Sequence, residues 1–180
     1  MRFVVTGEWS RNHLLHAIVV CFLIFTTLFW LSNFFMFLSR MPLTPGGVAE
    51  YYLGNEELFQ QPRTFRGMIE VAHFHLFAMG ILLMTLTHLM LFVPLPGAFK
   101  FWLVVLPFAG ALADEAGGWL TRFVAPQFAW LKIGGFVVLQ TTLLVLIITC
   151  FWSIFGGSSA TYAGFDDDDD EDEDDEDAGY

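Results

Sequence analysis

The chain has only two cysteines, eight lysines and arginines, and almost no charge in its long apolar runs. Cys21 and Cys150 stand inside such runs without a CxxC or CxxCH pattern. That spacing excludes a zinc knuckle and c-type haem attachment, and the expectation is two small buried hydrophobes. So few basic residues leave no nucleic-acid surface, and no nucleic-acid partner is expected. There is no nucleophile–base pattern and no glycine-rich phosphate loop, so a self-contained hydrolytic site is not expected either. What is present is apolar: 56% of the residues are hydrophobic and 17% aromatic, far above a soluble domain of this size.

The net charge of −11 comes from one place. Residues 166–177 are all acidic and hold twelve of the nineteen Asp and Glu, which leaves seven acidic against eight basic elsewhere. A near-neutral apolar body with an acidic tail is the pattern of a membrane bundle. A span needs about 20 mainly apolar residues, and four stretches qualify: 14–38, 69–93, 101–119 and 128–155. The first is too long for a signal h-region of about 7–15 residues, and no small-residue cleavage site follows, so it reads as a retained span. Ser10 serves as an N-cap for the first helix, Pro42, Pro45, Gly46 and Gly47 close it, Pro94 to Gly97 make a tight turn, and Pro126 precedes the fourth.

The expected fold is all-α: a polytopic membrane protein with a four-helix transmembrane domain over 1–157 and a flexible linker and disordered acidic tail over 158–180. An even number of spans puts both termini on one side. The first and third loops carry Arg40, Arg63, Arg66, Arg122 and Lys132, against Arg2, Arg11 and Lys100 on the other side. This balance places the two longer loops in the cytoplasm and the termini outside, with a bacterial inner membrane as the expected location.

An ionisable side chain in hydrocarbon marks a functional site by default, and all five histidines sit in or beside spans. His13 and His16 are three residues apart and share a face of the first helix, about 60° from one another. His88 ends the second helix, which runs the opposite way, so it reaches the same membrane surface. Two imidazoles at one depth on antiparallel helices would ligate a b-type haem, and Arg11 would pair with a propionate. The structural reading of the same residues is interfacial histidines bonded to neighbouring helices.

The opening Arg11, Asn12, His13 resembles the R-x-N-H type motif that begins the first span in the four-helix cytochrome b subunits of formate dehydrogenases and hydrogenases. The resemblance covers the start of one helix, and it implies a haem-ligating His13. Those subunits also carry haem-ligating histidines in their fourth span, where this chain has none. The implied number is therefore one haem.

A second group gathers toward the opposite surface. Glu70, His73 and His75 begin the second span, and Asp114 and Glu115 approach the end of the third. Together they would hold a first-row transition metal or relay protons; as structure alone, they would be helix-end groups paired with Arg63, Arg66 and Arg122. A His/Met haem using Met36 or Met41 is a further option at this end. The first loop, 39–68, carries Tyr51, Tyr52 and Phe59 and reads as a short amphipathic segment, either a lid over this end or a docking surface. The acidic tail reads as an interaction segment, for which a basic c-type cytochrome is a fitting partner, or as a solubilising terminus.

Three functions remain open at this point. The first is a b-type cytochrome-like electron-transfer subunit of a larger redox complex. The second is a metal-binding or proton-coupled membrane protein using the Glu70/His73/His75/Asp114/Glu115 group. The third is a structural accessory subunit. Membrane lipids and other subunits are the partners expected in each case.

Overall fold

Prolines and threonines set the helix ends in the computed structural model, which describes residues 13–156. The first helix, α1, runs His13–Arg40. Thr44 caps α2, Pro45–Leu53, by accepting a hydrogen bond from Gly47 N at 3.3 Å, with Pro45 in the first turn where its missing N–H costs nothing. Thr64 does the same for α3, Phe65–Met90, accepting from Gly67 N at 3.1 Å. Pro96 precedes α4, Gly97–Phe123, and a 3₁₀ turn at Pro126–Phe128 leads into α5, Ala129–Gly156. Four of these helices are long and apolar enough to cross a membrane, as expected: α1, α3, α4 and α5 with its 3₁₀ turn. The second is earlier than expected, beginning at Phe65 and ending at Met90, and the third runs on to Phe123.

The expected short segment in the first loop is α2. It packs against α4 and α5, with Val48 and Tyr52 buried. The acidic tail lies outside the described residues.

Within the bundle α5 is central. Half of its most apolar window is buried, against 17–22% for the other spans, and it contacts α1, α3 and α4. A helix that is largely apolar is stable only where neighbours or lipid cover its faces, and α5 is the one that touches all the other helices. Its Leu139, Leu143 and Leu146 join Leu23 of α1 and Leu83 and Leu86 of α3 in the main core. A second core at the α2 end stacks Phe37 on Phe136, ring centroids 3.7 Å apart, beside Met41, Met68 and Tyr52. Outward-facing Phe25, Phe35, Phe74 and Phe77 are exposed, as a lipid-facing surface requires. The cysteines separate: Cys150 is buried, whereas Cys21 is exposed on the outer face of α1. The expectation of two buried cysteines therefore holds for one.

The closest seam is α4 against α5. A Cβ on Gly117 would stand 2.4 Å from Lys132 N, and one on Gly135 would stand 2.3 Å from Asp114 N. Only glycine lets two backbones approach this closely, the device that membrane helices use in place of hydrophobic pressure.

Candidate functional site

The glycine seam brings two charged residues face to face. Lys132 of α5 and Asp114 of α4 form an ion pair, Nζ to Oδ2 2.8 Å, with side chains 9% and 15% exposed. Asp114 lies roughly 6 Å from the midpoint of α4 at about 1.5 Å of rise per residue, whereas Lys132 is only one turn into α5, so the pair is buried in the seam toward the α2 end of the bundle. Charges buried in this way persist only in pairs. Asp114 Oδ1 is buried without a hydrogen-bond partner among the described residues, so Lys132 satisfies only half of the carboxylate.

The next residue turns to the opposite neighbour. Successive helical residues point about 100° apart, and Glu115 faces α3 rather than α5. Its Oε1 accepts a hydrogen bond from Trp119 Nε1 at 2.9 Å, one turn along the same helix. Its Oε2 lies 3.8 Å from His75 Nδ1, too long for a hydrogen bond but within ion-pair range once the imidazole is protonated. His75 is 40% exposed and sits near the middle of α3. One ion pair and one imidazole–carboxylate contact thus branch from adjacent residues of one helix.

Both pairs line a cavity of about 520 Å³ enclosed by α1, α3, α4 and α5 and bounded by α2. Its wall is largely apolar, with Met36, Phe37, Met79, Phe108 and Phe136 among the lining residues. Tyr52 of α2 reaches it from the loop side, its hydroxyl close against Gly118 of α4. Burial pushes the Tyr52 phenol above its ordinary value, an effect that the Lys132 charge opposes in part.

The five residues expected to form one group do not converge. Glu70 is exposed and pairs with Arg66, Nε to Oε1 3.0 Å. His73 is exposed and meets Phe74 beside it. Only His75 turns inward, because two helical positions rotate it about 200° from His73. Asp114 is held by Lys132, which leaves Glu115 alone with His75. Among the described residues, no group of three or more His, Cys, Asp and Glu is placed to hold a metal ion. The five-residue metal set is corrected accordingly: Asp114 and Glu115 face different helices, and Glu70 and His73 face outward. The arginine pairing expected of Asp114 is likewise replaced by Lys132.

At the other end, the antiparallel order brings His13, His16 and His88 to the same membrane face. His16 is half-buried, edge-on to Phe155 of α5 at 5.9 Å, and His88 is exposed, edge-on to Phe92 at 5.6 Å. α1 has its main helix contact with α5, and its backbone makes little or no contact with α3. His13 is exposed, and Arg11 lies outside the described residues.

Lys132 is the member of the site that the sequence did not reveal, since it stands near a span boundary and counts as a loop charge by position. Its side chain is turned into the bundle against Asp114 instead of standing in the loop. The available signal was long-range: Gly117 and Gly135 at complementary heights on consecutive spans.

No curated protein and no solved structure matches the chain. Residues 42–161, which take in all of α2, α3, α4 and α5, match one family of transmembrane helical domains. The chain is therefore an integral membrane protein and belongs to that family, Aq_1264_TM.

Proposed function

We propose that the chain is a proton-coupled membrane protein whose exchange site is the His75–Glu115 pair, set beside the anchoring Asp114–Lys132 pair. The observation that carries this reading is the branching of a lysine–carboxylate pair and an imidazole–carboxylate contact from consecutive α4 residues into one cavity of the helix bundle. Imidazole is the side chain whose ordinary titration lies nearest neutrality. At 3.8 Å, a small approach of α3 and α4 closes the contact and a small separation opens it. The proton leaves the imidazolium for the carboxylate, and the charge on both groups is cancelled together. Trp119 holds the other carboxylate oxygen, which fixes the direction from which Glu115 receives the proton.

The test is pH-dependent infrared difference spectroscopy on the full chain in nanodiscs. The expected result is a protein carboxyl band that titrates and disappears in Glu115→Gln. A titration unchanged by Glu115→Gln and by His75→Gln overturns the reading.

A second reading keeps a haem. It rests on the gathering of His13, His16 and His88 at one face through the antiparallel order of α1 and α3. A b-type haem would take His88 and either His16 or His13 as axial ligands, with Arg11 at a propionate, and would make the chain an electron-transfer subunit as in the cytochrome b proteins it resembles. The acidic tail would then present a surface to a basic c-type cytochrome. A dithionite-reduced minus oxidised spectrum decides it. A b-type band lost in His88→Ala supports the haem, and a flat spectrum from folded protein ends this reading.

A further inference from the structure

The cavity that holds the two ion pairs does not end at the membrane face. A second, polar chamber of about 540 Å³ lies beside it under α2 and the first loop. Arg40, Tyr51, Gln61 and Arg63 line both chambers, so they form the junction between an apolar space inside the bundle and a polar space at its surface. Each volume falls in the range of small-molecule sites, about 300–1,000 Å³.

The apolar chamber is flanked by two helices that hardly meet. α1 and α3 make little or no backbone contact, and the lining residues Met36 of α1 and Val71 and Leu76 of α3 are exposed. In a bilayer that exposure is toward acyl chains. The chamber is therefore reached sideways from lipid, while the polar chamber faces the headgroup layer.

Charge complementarity selects the head. Neither Arg40 nor Arg63 has a carboxylate partner among the described residues. The Arg63 guanidinium stacks over the Tyr51 ring at 4.0 Å, which fixes its plane and leaves its N–H edge free to donate. Glu50, the carboxylate of the polar chamber, is engaged by the Asn55 side-chain amide. Two arginines against one carboxylate leave the junction net positive, at the C-terminal end of α1 and just before the start of α3.

We propose that the two chambers together bind one phospholipid with an anionic headgroup, its phosphate on Arg40 and Arg63 and an acyl chain in the apolar chamber between α1 and α3. This goes beyond proton coupling and does not depend on it, since Arg40 and Arg63 belong to neither ion pair.

The test is native mass spectrometry of the full chain released from detergent with added phosphatidylglycerol or phosphatidylcholine. The wild type should retain phosphatidylglycerol in preference, and inorganic phosphate should not displace it. Arg40→Gln with Arg63→Gln should cut that preference by about tenfold or more, in line with a surface arginine's attraction to anionic lipid. Gly80→Phe fills the apolar chamber from α3, where an added Cβ meets nothing within 4 Å, so the fold should tolerate it. It should lower retention of both lipids. Equal retention of the two lipids by the wild type, displacement by free phosphate, or unchanged retention in Gly80→Phe each overturns the proposal.

Discussion

Removing one partner of the Asp114–Lys132 pair should destabilise the protein far more than removing both. With Nζ and Oδ2 at 2.8 Å and both side chains no more than 15% exposed, water does little to screen the pair. At an effective dielectric constant of about 20, the attraction at this distance is about 6 kcal/mol. Several kcal/mol of desolvation per ion offset most of it, so the intact pair contributes little net stability. A single replacement removes the attraction and leaves the desolvated partner behind. Asp114→Asn and Lys132→Met should therefore each cost about 3–5 kcal/mol. The double variant, apolar and near-isosteric at Lys132 and neutral at Asp114, should return to within about 1–2 kcal/mol of wild type or exceed it. Unfolding of the full chain in detergent, followed by circular dichroism, reads the cycle. Each single variant should lose about 6 °C or more in Tm, at about 2–4 °C per kcal/mol for a chain of this size. Single variants within about 1 kcal/mol of wild type, or a double variant equal to the sum of the two, would refute the argument, because either result means that the charges do not see each other.

Further outcomes follow from the seam, the core and α2. Gly135→Ala puts a methyl carbon 2.3 Å from Asp114 N and should lower stability by about 1–3 kcal/mol, whereas Gly134→Ala, with nothing within 4 Å, should be neutral in the same thermal scan. Gln140 is 5% exposed, and neither side-chain polar atom has a partner among the described residues, so Gln140→Met should raise stability by about 1–2 kcal/mol; a loss would mean that the amide is satisfied by another molecule. Tyr52 retains its proton in the folded chain above the pH of about 10 at which an unfolded tyrosine ionises. The unfolded state then binds fewer protons, so stability should fall as the pH rises past about 10, and Tyr52→Phe should flatten that fall in alkaline unfolding curves.

The spans were legible because run length and proline placement are local signals. Thr64 and Phe65 were not, since a cap five residues ahead of the apolar run counts only once the helix is seen to continue through Arg66. That shift carries His75 from the membrane surface to the middle of α3. The order of packing was also hidden. Chain neighbours suggest α1 against α3, but α5 takes the central place and α1 docks there instead. The histidine pairing at that end was therefore drawn across two helices whose backbones barely approach. Lys132 was obscured for a related reason: only the close approach of Gly117 to Lys132 and of Gly135 to Asp114 shows that the α5 backbone lies against α4 there.

The two ion pairs differ in a way that assigns them different work. Asp114–Lys132 spans a seam that glycine has closed to backbone contact, so its 2.8 Å geometry cannot open without separating α4 from α5. His75–Glu115 spans α3 and α4, whose contact is far less extensive, at 3.8 Å and with the imidazole 40% exposed. A pair so open is worth about 0–1 kcal/mol after screening. Glu115→Gln should therefore abolish the titrating carboxyl band and His75→Gln should change its pH dependence, while both leave Tm nearly unchanged. Asp114→Asn should do the reverse, lowering Tm while the Glu115 band persists in the fraction that remains folded. If Asp114→Asn instead removed the band with little loss of Tm, the rigid seam would be the proton site and the assignment of His75 and Glu115 would be wrong.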